Sequence, residues 1–213
     1  MKFLALTAAL VNSVSADQQI DITENGKPMK KYVVGGGNVA INGAEANFPQ
    51  SRWYLGNKDG NGGYAPDIYY APNLLGGSIE YDVNLSQASC GCNIALYLVQ
   101  MPGYNADGSP NPSQGGDYYC DANDVGGMWC PEMDIMEANS FAWHTTPHKC
   151  DAPSGKHFNN CDRGGCGKAF SDVDRNGMGP GGQYRINTQN EFHAKVSFNQ
   201  SGDRLSSIVM TLT

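Results

Sequence analysis

Apolar and polar positions along this chain alternate in short runs, and turn residues end each run. Ser78-Ile79-Glu80-Tyr81-Asp82-Val83 alternates cleanly, the period of two that marks a strand with one buried face. Residues 94–99 form an apolar run of strand length. Residues 193–198 and 205–212 predict two further strands, joined by Asn199-Gln200-Ser201-Gly202-Asp203. Upstream, Tyr32-Val33-Val34 leads through Gly35-Gly36-Gly37 into Asn38-Val39-Ala40-Ile41, and Arg52-Trp53-Tyr54-Leu55 precedes a glycine-rich turn at Asp59-Gly60-Asn61-Gly62-Gly63. Residues 17–31 read as a polar, extended or frayed segment. No stretch sustains a helical period, and no internal repeat is present. Short strands punctuated by Gly, Pro, Asn and Asp predict an all-β chain, an antiparallel β-sandwich or jelly roll. Residues 103–117 and 150–182 are expected to be long loops, which are uncommon unless functional or stapled.

Composition narrows the setting. The 213 residues are 40% hydrophobic, enough for a packed core, and the length suits one domain or two very small ones. Lys2, then Phe3-Leu4-Ala5-Leu6-Thr7-Ala8-Ala9-Leu10-Val11 and Val14-Ser15-Ala16, read as a secretory signal peptide over residues 1–16, because the apolar run is too short for a bilayer span. The expected product is a secreted, extracellular chain starting at Asp17. A net charge of −7 without a Lys/Arg-rich run argues against nucleic acid and against anionic membrane surfaces. Neutral polymers remain. In an oxidising compartment the seven cysteines, Cys90, Cys92, Cys120, Cys130, Cys150, Cys161 and Cys166, default to disulfides, and an odd count leaves at least one without a partner in the chain. Asn84-Leu85-Ser86 and Asn199-Gln200-Ser201 are candidate glycosylation acceptors.

The densest chemistry lies in Cys130-Pro131-Glu132-Met133-Asp134-Ile135-Met136-Glu137-Ala138-Asn139. On a strand, Glu132 and Asp134 share one face while Met133 and Ile135 point to the other. Glu137 has the wrong parity. A one-residue bulge after Asp134 would return it to the acidic face, and bulges are enriched beside active sites. Like charges held that close do not all ionise easily, so at least one carboxyl is expected to titrate high. A retaining glycosidase requires such a set, one carboxylate as nucleophile and one protonated acid for the leaving oxygen. An exposed acidic strand face and a calcium site use the same residue types.

The run from Glu132 to Ser140 closely resembles the catalytic strand of glycoside hydrolase family 7, the cellobiohydrolases and endoglucanases. The acid spacing also occurs in the related family 16 β-glucanases, and the flanks separate the two. Cys90-Gly91-x-Asn93-x-Ala95-Leu96-Tyr97-x-Val99-x-Met101, Tyr119-Cys120-Asp121-Ala122, Thr146-Pro147-His148-x-Cys150, Gly165-Cys166-Gly167, Phe170-Ser171-Asp172 and Gly179-Pro180-Gly181 follow in the family's order. Arg52-x-Tyr54-Leu55, and Leu74-Leu75-Gly76 ahead of Glu80, also fit. The resemblance implies a concanavalin-like jelly roll over residues 17–213, a polysaccharide substrate and no cofactor. It implies that Glu132 is the nucleophile, Asp134 its assistant and Glu137 the acid/base, with Asn93, Tyr97, Asp121, His148 and Arg175 at the sugar subsites. It further implies disulfides Cys120–Cys130 and Cys161–Cys166, leaving Cys90, Cys92 and Cys150 unassigned.

The chain departs from that pattern in three places. It is much shorter than the family's catalytic domain, so a partial domain is expected, a monomer if complete. Residues 121–129 form a short segment where processive members carry a long roofing loop, which points to an open cleft and internal attack on a glucan. Met136 stands where the family often has tryptophan. Of the three tryptophans, Trp53 reads as core, while Trp129 and Trp143 flank the acidic strand as sugar platforms. His144 and His148 lie four apart without a helix or a convincing third ligand, so no metal is expected. The expected activity is a secreted retaining endo-β-1,4-glucanase. A β-1,3 or mixed-linkage glucanase and a non-catalytic carbohydrate-binding fragment are the alternatives.

Overall fold

The computed structural model describes residues 17–35, 40–47 and 52–213. The expected signal peptide, residues 36–39 and residues 48–51 lie outside them. The chain divides into two compact units, residues 1–70 and 71–213.

In the first unit, β1 (Gln18–Glu24) and β2 (Lys27–Gly35) form an antiparallel hairpin, Gln18 facing Val33 and Glu24 facing Lys27. The connection is Asn25-Gly26, both with positive φ, 53° and 73°. That two-residue turn matches the twist of the flanking strands and needs residues that tolerate the left-handed region. The segment 17–31 is therefore extended rather than frayed, its residues 18–24 and 27–31 paired as strands. Asp21 and Lys30 face each other across the hairpin as an ion pair. A second small hairpin joins β3 (Ala40–Asn42) to β4 (Glu45–Asn47), and β5 (Trp53–Gly56) adds to β2.

The second unit is a sandwich. One sheet holds β6 (Ser78–Val83), β13 (Phe192–Ser201) and β14 (Arg204–Leu212), in the order β14-β13-β6. The other holds β7 (Ile94–Val99), β8 (Glu132–Asn139), β9 (Ala142–His148) and β10 (Lys168–Ala169), in the order β10-β9-β8-β7. Every pairing in these two sheets is antiparallel. A four-residue helix α1 (Phe170–Val173) and the parallel pair β11 (Met178–Gly179) and β12 (Ile186–Asn187) complete the unit.

Alternation places the core between the sheets. Met133 and Ile135 of β8 meet Val196 and Phe198 of β13, with Ile79, Tyr81, Leu96, Leu98, Ile208 and Met210 packed around them. A second cluster unites Met136, Ala138 and Trp143 with Leu85, Phe192, Ala194 and Leu212. Ile135 is fully buried, and truncating such a side chain to alanine typically costs about 2–5 kcal/mol. The expected jelly-roll sandwich is the observed architecture.

Cys120–Cys130 forms as expected. Cys161 instead bonds Cys150, and Cys166 is free and exposed. The loop after β9 folds back on itself, with Asp151 N–H donating to Asn160 C=O and Asp162 N–H to Lys149 C=O, which sets Cys150 opposite Cys161. Cys166 is tied elsewhere, its N–H donating to Pro147 C=O. The expected Cys161–Cys166 bond is thereby corrected.

Candidate active site

The acids converge because β8 is bulged. Toward β7, Asp134 pairs with Tyr97 and Met136 with Leu96, leaving Ile135 without an opposite residue. Toward β9, Asp134 pairs with Thr146 and Glu137 with His144, so Ile135 and Met136 share the place opposite Thr145. Ile135 and Met136 are both buried. Two consecutive apolar side chains enter the core, and the parity of the strand flips, returning Glu137 to the face of Glu132 and Asp134. Thr145 Oγ1 donates to the Ile135 carbonyl at 2.9 Å, satisfying a backbone group at the irregularity.

Each carboxylate has different partners. Glu132 Oε2 accepts the Ala122 N–H at 3.0 Å. Burial raises its carboxyl above the ordinary value against that hydrogen bond, and the charge of Asp121 adds to the rise. Asp134 lies 3.1 Å through Oδ2 from His148 Nε2, while its Oδ1 is buried without a hydrogen-bond partner. Burial, then the charges of Glu132 and Glu137, push Asp134 up to about 7. Glu137 Oε1 accepts from Tyr97 Oη at 2.8 Å and from Asn93 Nδ2 at 3.2 Å. Burial, followed by the bond to Glu137, holds the Tyr97 phenol well above its usual range, so it stays a donor.

His148 is fixed from behind. Its Nδ1 donates to the Asp162 carbonyl at 2.8 Å, which directs Nε2 at Asp134. Burial lowers its pKa, but the Asp162 carbonyl and the charge of Asp134 outweigh that and raise it. Asp134 and His148 therefore both favour their protonated forms across a 3.1 Å contact. Gly165 makes the arrangement fit: at φ +62°, an added Cβ would sit 2.8 Å from the imidazole and 2.5 Å from Thr146 Cγ2.

The remaining sequence-predicted residues divide. Asn93 and Tyr97 reach the acid cluster as partners of Glu137. Asp121 is 3% exposed, and its Oδ1 accepts the N–H groups of Asn123 and Val125, so it shapes the loop that presents Ala122. His148 lies behind Asp134. Trp143, expected as a sugar platform, is 1% exposed within the sandwich core, 6.1 Å from Phe192; its parity on β9 sends it inward. Trp129 carries the Arg163 guanidinium over its ring at 4.8 Å. Arg175 lines a small cavity with Phe141, Phe170, Met178 and Tyr184, apart from the carboxylates. Sequence reasoning missed the Ala122 N–H and the Asp162 carbonyl, since backbone groups carry no residue signature.

Residues 123–201 match the family model for glycosyl hydrolase family 7. Endoglucanase type C of Fusarium oxysporum is 33% identical over 163 residues, 63% of this chain and 38% of that protein. Endoglucanase EG-1 of Humicola insolens is 31% identical over 207 residues, 84% of this chain and 44% of that protein. The chain therefore spans less than half the length of these curated relatives. Among solved structures, endoglucanase I complexed with cellobiose shares the fold at a TM-score of 0.68 and 20% identity, covering 92% of this chain and 69% of that one. A family 7 cellobiohydrolase from Daphnia pulex does so at 0.69 and 18%, covering 93% and 70%. With the bulged acidic strand inside the matched segment, this chain carries part of a glycosyl hydrolase family 7 domain.

Proposed function

We propose that this chain is a secreted cellulase that cleaves internal β-1,4 bonds of a glucan with retention of configuration. The bulge of β8 carries this reading, because it gathers three carboxyl groups on one face, each with a different hydrogen-bond partner. Glu132, directed by the Ala122 N–H, is the nucleophile that forms the glycosyl-enzyme bond. Glu137 donates its proton to the leaving oxygen and then takes one from water. Tyr97 and Asn93 hold its carboxyl in place. Asp134, kept protonated by burial and by the charges of Glu132 and Glu137, hydrogen-bonds the nucleophile and stabilises its charge. No cofactor takes part. The short segment 121–129 and the endoglucanase names of the relatives support internal cleavage.

The test is Glu132→Gln, with wild type, on soluble cellulose derivatives, alongside proton NMR of the first anomer released. Loss of cleavage in the variant and a β-anomer from wild type are expected. Undiminished cleavage by Glu132→Gln would sink the assignment. A panel of β-1,4, β-1,3 and mixed-linkage glucans assigns the linkage, and cello-oligosaccharide binding by wild type without hydrolysis would establish the binding-module alternative.

A further inference from the structure

We infer that Glu132, Asp134 and His148 form a binding site for a divalent transition-metal ion, zinc or copper, which competes with carbohydrate for the nucleophile. One donor atom from each of the three lies within 4.8 Å of the others, and all three residues are buried. The imidazole is arranged as a ligand. Its Nδ1 is occupied by the Asp162 carbonyl, so Nε2 is the nitrogen turned into the cluster. A backbone carbonyl on the far nitrogen is the outer partner that metal-bound histidines ordinarily have.

A second observation points the same way. Asp134 is 5% exposed, and its Oδ1 has no hydrogen-bond partner. A buried oxygen left unanswered is costly, and a cation, a proton or a sugar hydroxyl would each answer it. The donor set selects among cations. One imidazole with two carboxylates suits zinc or copper, whereas calcium takes six to eight oxygens. Tetrahedral zinc with ordinary bond lengths separates its donors by about 3.4 Å, and Nε2 and Oδ2 already stand 3.1 Å apart. An ion there draws on the carboxylate that must attack the sugar. Only the competition rests on the proposed function; the site stands on side-chain geometry alone.

Calorimetric titration of zinc into the full chain tests the site, with copper electron paramagnetic resonance as a second readout. One ion per chain is expected, with hyperfine structure from a single imidazole nitrogen. His148→Ala and Glu132→Gln should each weaken binding at least tenfold. Glutamine keeps the acceptor for the Ala122 N–H, so Glu132→Gln holds its fold even where His148→Ala does not. His193→Ala, at the exposed His193, Glu80 and Asp82 group, should bind as wild type does. Failure of wild type to bind, or binding kept in Glu132→Gln and lost in His193→Ala, overturns the site. Zinc that binds at the cluster yet leaves an active chain uninhibited overturns the competition. A chain that binds the ion but cleaves no glucan keeps the metal site and rejects the cellulase reading.

Discussion

Two groups of one histidine and two carboxylates occupy this sandwich, and they behave differently. Glu80 and Asp82 of β6 face His193 of β13 on the outer side of one sheet. His193 Nδ1 lies 2.8 Å from Asp82, and Nε2 lies 3.7 Å from Glu80. Lys195 reaches Glu80 at 2.7 Å. These side chains are 42–63% exposed. The Lys195 hydrogen bond, then that of Ser78, holds the Glu80 carboxyl below its ordinary range. Glu132, Asp134 and His148 on the other sheet have the same composition but are buried, and among the described residues no lysine or arginine forms an ion pair with them. Burial pushes Asp134 up to about 7. Identical residue types give a solvated ion-pair ladder in one place and a poised cluster in the other. What differs is removal from water and the presence of a countercharge.

The contrast is open to breaking. The largest effect is expected in catalysis: Glu132→Gln should reduce turnover by at least about 10⁴-fold, while Glu80→Gln should leave it within about twofold. An equal loss in both would erase the distinction. Next, Glu137→Gln should lower turnover by about 10²–10⁴-fold, as loss of a general acid does, with the smallest loss on substrates whose leaving group needs no proton. Trp143→Ala should cost about 3–5 kcal/mol of stability in urea unfolding with KM unchanged in the fraction that stays folded, as its core position requires.

The pH dependence of stability follows in size. Asp134, Glu132 and His148 all sit above their ordinary values, so the folded state favours their protonated forms. The stability Asp134 lends is present below pH 3.8, its ordinary value, and is lost as pH rises through about 7. Asp134→Asn, neutral throughout, should flatten that decline between the same limits, read as the urea midpoint against pH. An unchanged slope would place the raised titration elsewhere. The smallest effect belongs to His193→Ala, expected to shift stability by less than about 0.5 kcal/mol, as exposed pairs generally do.

Legibility differed along the chain. Alternation in residues 78–83 and 193–198 located β6 and β13, because a strand with one dry face writes its period into the sequence. The parity conflict between Asp134 and Glu137 revealed the bulge, since an acid on the core side would be untenable. The hairpin of β1 and β2 was overlooked although Asn25-Gly26 marks it, because polar strands carry no hydrophobic period. Trp143 went to the wrong side, since an aromatic beside an acidic strand looks alike in sequence whether it faces sugar or core. Cysteine identity says nothing about which loop folds back, so Cys161 was assigned to Cys166 and not to Cys150.

By itself, the sequence determined the sandwich, the acidic strand and the need for a bulge, because burial and backbone periodicity are local and binary. Only the tertiary structure decided which partner each carboxyl receives. Ala122 N–H on Glu132, His148 on Asp134 and Tyr97 on Glu137 come from segments 10, 14 and 40 residues away. Protonation depends on desolvation and neighbouring charge at a few ångströms, and those distances exist only once the loops have closed around the strand.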